Sequence, residues 1–306
     1  MSNSQNPPLR LDPASLKVIP LRHHGRKAAA IVTAIALAFL ARGAVTNPEL
    51  QWSIVAGYLF HPMILKGLWI TIGLTAVVMV LAAAIGLVAA LMMMSSSRLL
   101  TVPARVFVWF FRGTPALVQL ILWYNLAILV KEFSIWLPGV GTIFSVATND
   151  VMTPFVAATI ALSLHESGYM AEIIRGGLIS VNAGQTEAAA CLGMKPSLLT
   201  RRIIIPQAMR IIIPPTGNET INLLKTTSLV SMIAVGDLLY SAQAIYARTF
   251  ETIPLLIVVT FWYLVVVSIM SVAQARLERH YGRAEQEART GMLRKVFSFN
   301  RRRALA

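Results

Sequence analysis

Six predominantly apolar stretches divide this chain, at residues 28–45, 67–94, 102–130, 154–174, 211–235 and 253–275, and short basic segments separate most of them. A helix rises 1.5 Å per residue, so about 20 apolar residues cross the hydrocarbon of a bilayer. Each stretch therefore predicts one membrane-crossing helix. The first is the weakest, because Arg42 lies near its far end, where the side chain would have to reach the interface. Between the third and fourth stretches, 133–153 reads as an outer loop whose short apolar run suggests a helix lying on the surface. The fold expected is all-α: a polytopic membrane helical bundle with six transmembrane helices.

Composition agrees. Apolar residues make up 56% and charged residues only 13%, against about a quarter charged in soluble domains, and the mean hydropathy is +0.67. The net charge of +14 is placed for topology rather than for nucleic acid. With the N-terminus inside, only Arg42, Lys66, Lys131 and Arg248 fall outside and Lys225 lies in a span, which leaves 22 of the 27 basic residues in the cytoplasm. Both ends are then cytoplasmic. Trp52, Tyr58 and Phe60 before the second span and Trp123, Tyr124 and Trp136 flanking the outer end of the third suit the interfaces. Residues 1–27, with Pro7, Pro8, Pro13 and Pro20, read as a basic cytoplasmic tail, and 28–46 as a span without a cleavage site. A second basic tail covers 276–306. The single cysteine, Cys191, excludes an internal disulfide and a cysteine-rich metal site.

Between the fourth and fifth spans lies a polar run, 187–206, built like a docking element. Asn182 suits a helix cap, with a first short helix over 185–192. Gly193 can leave that helix left-handed. Pro196 suits the start of a second helix, and Pro206 its end. Two short helices with a sharp bend and a small apolar knob are expected.

Polar residues inside the spans mark the second candidate site. At 100° per residue Asn218, Glu219, Asn222, Lys225 and Thr226 occupy an arc of about 120°, too polar to face lipid. Pro214, Pro215 and Gly217 before it would weaken the helix and free backbone groups. His165, Tyr169 and Glu172 recur at i, i+4 and i+7 in the fourth span, with Glu166 beside them. Glu166, Glu219 and the two asparagines could meet the charges of a zwitterion lining a translocation path, or the same residues could act as interhelical glue. A His165–Glu166 metal site has too few ligands. No glycine-rich loop ending in Gly-Lys-Ser/Thr occurs, so the chain has no triphosphate cradle of that kind. Nor does any nucleophile–base spacing point to an enzyme. A secondary carrier using Glu166, Glu219 and His165 as a proton relay is the alternative.

The run Glu187-Ala188-Ala189, three residues, Gly193, nine residues, Ile203, one residue, Ile205-Pro206 resembles the EAA loop of the membrane subunits of ABC importers. Phe111-Arg112-Gly113-Thr114-Pro115 with Leu117-Val118-Gln119, Arg175-Gly176-Gly177, Pro206-Gln207-Ala208, Pro214-Pro215, Gly217-Asn218 and Leu224 to Leu229 follow the order of polar amino acid permeases of the histidine/glutamine type. The resemblance covers 65–275. It implies a five-helix type I importer core, with the coupling loop at 176–207 and the first span and the long basic tail as additions. It implies that Glu187, Ala188, Ala189, Gly193, Pro196 and Pro206 shape a coupling helix for an ATPase dimer. Glu166, Tyr169, Asn218, Glu219, Asn222 and Lys225 are the tentative substrate path. ATP and Mg would be held by that separate ATPase subunit. An identical or related second permease subunit, an extracytoplasmic amino-acid-binding protein and an amino acid substrate complete the expected partners, in the cell membrane.

Overall fold

The apolar stretches do form helices, but two of them are not continuous. The computed structural model describes residues 24–139 and 141–303, so the expected tail at 1–27 lies outside the described residues up to position 23. The chain divides into two units, Met1–Gln51 and Trp52–Ala306.

In the first unit, α1 (His24–Thr46) is apolar around its circumference and long enough to cross a membrane. Beyond it Asn47 accepts from the Glu49 amide at 3.0 Å. Pro48, whose ring presets a helical φ, then opens a short 3-10 turn, Pro48–Leu50.

The second unit runs α2 (Trp52–Leu59), α3 (Pro62–Met93), α4 (Arg98–Gly113), α5 (Ala116–Tyr124), β1 (Glu132–Leu137), β2 (Gly141–Ala147), α6 (Thr148–Val151), α7 (Pro154–Ile179), α8 (Ala183–Cys191), α9 (Pro196–Leu199), α10 (Ile205–Thr226), α11 (Leu238–Thr249) and α12 (Thr252–Arg303). His61 and Thr153 cap α3 and α7, each followed by a proline at the first helical position, where its missing N–H costs nothing. The 32-residue α3 and 26-residue α7 pack together more extensively than any other pair. Small residues permit this. A Cβ on Gly86 would stand 2.7 Å from the Met170 Cβ and 2.9 Å from the Ala171 nitrogen. Leu74, Val78, Ala82, Ala157, Ala158 and Leu162 fill the seam. Such close approach replaces the hydrophobic drive that lipid does not supply between helices.

A second cluster joins α2, the start of α3, α11 and α12 through Ile64, Leu68, Leu238, Leu255 and Val258. Asp237 caps α11 by accepting from the Tyr240 amide at 2.9 Å and the Leu239 amide at 3.2 Å. The Leu238 amide donates across to Thr71 Oγ1 at 3.0 Å, and Trp262 Nε1 donates to the Leu59 carbonyl at 2.7 Å. Trp69, Val80, Leu264 and Ile269 point outward, as lipid-facing positions require.

Three expectations need correction. The stretch 102–130 is not one straight span, because α4 and α5 meet at a bend of 103°. The stretch 211–235 passes from α10 through a 3-10 turn, Thr227–Ile233, to left-handed Ala234 and a second bend of 44° before α11. The segment 133–153 holds a hairpin and the one-turn α6 in place of the expected surface helix. β1 and β2 pair antiparallel, from Glu132 opposite Ala147 to Leu137 opposite Gly141, with an irregularity between Ile135 and Trp136. Gly139 and Gly141, at φ 84° and 91°, carry the turn. Among the described residues the bundle is thus helical but for one two-stranded sheet. Among them three helices are long and apolar enough to cross a membrane, or up to five if each bent pair counts as one span. Helix α7 has the length, about 39 Å, but it carries His165, Glu166, Glu172 and Arg175 and is buried among the others.

Candidate functional site

The polar run after α7 folds as two short helices with a bend. Asn182 Oδ1 accepts from the Gly184 amide at 2.8 Å and starts α8. At the other end the Gly193 amide donates to Ala190 O at 2.9 Å and the Met194 amide to Ala189 O at 3.1 Å. This crossed pair is the Schellman arrangement, which needs a left-handed residue, and Gly193 sits at φ 67°. Pro196 opens α9 as expected. Ala189 and Leu199 are buried, while Glu187, Ala188 and Gly193 are exposed and Leu192 is 81% exposed. The bend therefore presents an apolar knob beside a carboxylate. Pro206 does not end the second helix. A π turn, Thr200–Ile204, joins α9 to α10 with the Ile205 amide donating to Thr200 O, and Pro206 falls in the first turn of α10, where no donor is needed.

The break between α4 and α5 is stitched by one side chain. Pro115 interrupts the backbone ladder and leaves carbonyls without donors. The Gln119 amide nitrogen lies 3.0 Å from Phe111 O, 3.1 Å from Thr114 O and 2.6 Å from Thr114 Oγ1, with His165 Nδ1 at 3.2 Å. Gln119 is buried, so its amide group is held among these acceptors rather than in water. Gln119→Leu is expected to cost about 1–3 kcal/mol and to lower the thermal unfolding midpoint of the detergent-solubilised protein. An unchanged midpoint would remove Gln119 from this role.

The polar residues of α7 divide into two groups. His165 is held by Gln119, and its ring lies 5.4 Å from that of Tyr169. The Arg112 guanidinium stands over the Tyr169 ring at 5.3 Å. Glu172 accepts from Arg175 Nε at 2.9 Å and Nη2 at 2.6 Å, and faces Arg112 Nη1 at 3.9 Å. His165, Tyr169 and Glu172 thus tie α7 to α4 and α5. Glu166 differs: it is buried, and its Oε1 has no hydrogen-bond partner among the described residues. Glu219 on α10 lies within electrostatic reach of it. On α10 itself Asn218, Asn222 and Lys225 are exposed along one face, with Glu219 half-buried beside them. Pro214 and Pro215 do not interrupt α10, and Gln274 of α12 donates to Pro214 O at 2.7 Å. Gly217 leaves room for that side chain. No cluster of three or more His, Cys, Asp or Glu suited to a metal occurs among the described residues.

Asp237 and the Gln119 network carry no sequence signal of their own beyond a lone acidic residue and an amide within an apolar run. The seven-residue spacing of Arg98, Arg105 and Arg112 was readable and marks the basic edge of α4.

Residues 82–283 match the family of binding-protein-dependent transport system inner membrane components. An arginine transport system permease protein of Corynebacterium glutamicum is 41% identical over 270 residues, covering 88% of this chain and 84% of that protein. An L-cystine transport system permease protein of Bacillus subtilis is 36% identical over 225 residues, covering 73% and 88%. Among solved structures, an amino acid ABC transporter crystallised with histidines superposes with a TM-score of 0.63 at 33% identity, over 74% of this chain and 98% of that one. A methionine ABC transporter, at 18% identity and a TM-score of 0.58, shares the fold.

Proposed function

This chain belongs to the family of binding-protein-dependent transport system inner membrane components, and we propose that it is the permease subunit of an ATP-driven importer of polar amino acids. The observation that carries the coupling role is the bent pair α8–α9, fixed by left-handed Gly193 and presenting Glu187 and Leu192 outward. It occurs in a chain without a triphosphate-binding loop of the glycine-rich type. Glu187, Ala188, Ala189, Gly193, Pro196 and Pro206 form the part an ATPase dimer grips, and ATP with Mg is held there, in the partner. Residues 65–275 are the permease domain, with 28–46 an added span and 276–306 a basic tail. Six spans, counting each bent pair and α7 as one crossing, are proposed from the apolar stretches, and the basic residues put both ends in the cytoplasm.

The exposed face of Asn218, Asn222 and Lys225, with Glu219 and Glu166 behind it, suits a path enclosed between this subunit and a second, identical or related one. A substrate ammonium group would meet the carboxylates, and its carboxylate Lys225 and the asparagine amides. A separate binding protein delivers the amino acid at the outer face. Nucleotide-driven closure of the ATPases then biases a bundle with two arrangements. The printed substrates of the relatives, arginine and cystine among them, suggest a polar amino acid, and no covalent chemistry is required of this chain. The proton-relay carrier has no support, since His165 is engaged by Gln119 and the matched relatives are transport system permeases.

Reconstitution with the ATPase subunits in liposomes tests this reading. Uptake should require both ATP and the binding protein; uptake without ATP would favour the carrier. Cysteines at 218, 222 and 225 should react with soluble reagents in at least one nucleotide state. Silence at all three positions in every state would remove them from the path.

A further inference from the structure

Helix α4 is built in three sectors. Arg98, Arg105 and Arg112 recur every seven residues and, with Trp109 among them, fall within about 60° of arc. Beside this edge Leu99, Val102, Val106 and Phe110 form an exposed apolar stripe, and Ala104 and Val108 on the far side are buried. The bend of 103° sets α4 across the direction of α5, so the two halves of this bent span meet the bilayer at different angles. An amphipathic helix with arginines on one face and apolar and Trp residues beside them suits the headgroup level.

The arginine edge borders a cavity of about 710 Å³ between α3, α4 and α7, lined by Arg105, Arg112, Glu172 and Arg175 with Met94 and Trp109. Three guanidinium groups face one carboxylate there. Glu172 is already shared between Arg112 and Arg175, and Arg105 has no ion pair among the described residues. The excess positive charge has no acidic partner among the described residues. Trp109, 74% exposed, offers a rigid amphipathic wall at the rim.

We propose that this cavity takes the phosphate of an anionic lipid headgroup, its chains lying along the apolar stripe of α4. Guanidinium groups bind phosphate in bidentate fashion, and basic pockets between spans at the cytoplasmic side are where such headgroups lodge. A soluble phosphate shares that chemistry but gains nothing from the apolar stripe, so the lipid is the better occupant. The inner-leaflet location rests on the orientation proposed above; the binding itself does not.

The test uses the assembled transporter in detergent, without nucleotide or substrate, so that its failure leaves the import reading intact. Native mass spectrometry after addition of phosphatidylglycerol or phosphatidylcholine measures retained lipid. The unsubstituted protein should hold phosphatidylglycerol preferentially. Arg105→Gln should weaken retention roughly fivefold, and Arg105→Lys should keep most of it. Glu172→Gln should raise retention, a change that unfolding cannot imitate. Equal retention of phosphatidylglycerol by the unsubstituted and Arg105→Gln proteins would overturn the proposal. So would displacement of the lipid by inorganic phosphate at matched concentration, which would make the site one for the soluble anion.

Discussion

Glu187→Arg and Gly193→Asp are each expected to lower ATP-dependent uptake by at least about tenfold while the subunit still inserts and assembles. Glu187 is exposed on α8, so reversing its charge leaves the fold of the loop alone and opposes whatever cation the ATPase presents. Like-charge contacts at an interface cost several kcal/mol, and about 1.4 kcal/mol already gives tenfold. At Gly193 a Cβ meets nothing within 4 Å. The penalty there comes from φ 67°, worth about 1–2 kcal/mol for an ordinary L-residue, and from a new charge at the knob. Gly193→Asn separates the two causes, because asparagine tolerates the left-handed region and adds no charge; it should stay near normal. Uptake in proteoliposomes, with retention of the ATPase subunits during purification, measures both effects. Normal transport by the Arg and Asp variants together would end the docking role.

Gly86→Leu should prevent stable folding of the second unit. The glycine lies where α3 crosses α7, with the Ala171 nitrogen and the Ser167 carbonyl at 2.9 and 3.0 Å from a built Cβ. These are backbone atoms of a buried helix and can yield only if the two helices part. Even Gly86→Ala is expected to cost about 1–3 kcal/mol as overpacking, and leucine considerably more. Gly73, on the same helix, faces open space, so Gly73→Ala should be neutral or slightly stabilising through helix propensity. Thermal unfolding and the yield of monodisperse protein distinguish them. Equal stability of Gly86→Leu and Gly73→Ala would mean that α3 and α7 do not meet as described.

Much of this architecture is written locally. A segment that crosses lipid must satisfy its own backbone groups, so length and hydropathy locate α1, α3 and α12 without knowledge of their neighbours. The bend between α8 and α9 is equally local: Asn182, Gly193 and Pro196 act on atoms within a few residues of themselves. The hairpin is less local: Ile135, Trp136 and Leu137 are all apolar, so no alternation marks the strand, which forms by pairing with Gly141–Ala147.

The break at Thr114 and Pro115 is different, because its position is marked by the proline while its angle and survival depend on Gln119 meeting His165, 46 residues along the chain. The same holds for Pro206, absorbed by a π turn, and for Glu172, whose stripe gave no hint of the arginines it would share. Sequence by itself determined the unbroken apolar helices and the bend between α8 and α9. Tertiary structure decided which polar residues of α7 became ties between helices and which, like Glu166, kept an unpartnered oxygen. The reason is physical: a helix satisfies its backbone alone, whereas a buried polar side chain is satisfied only by what folding brings against it.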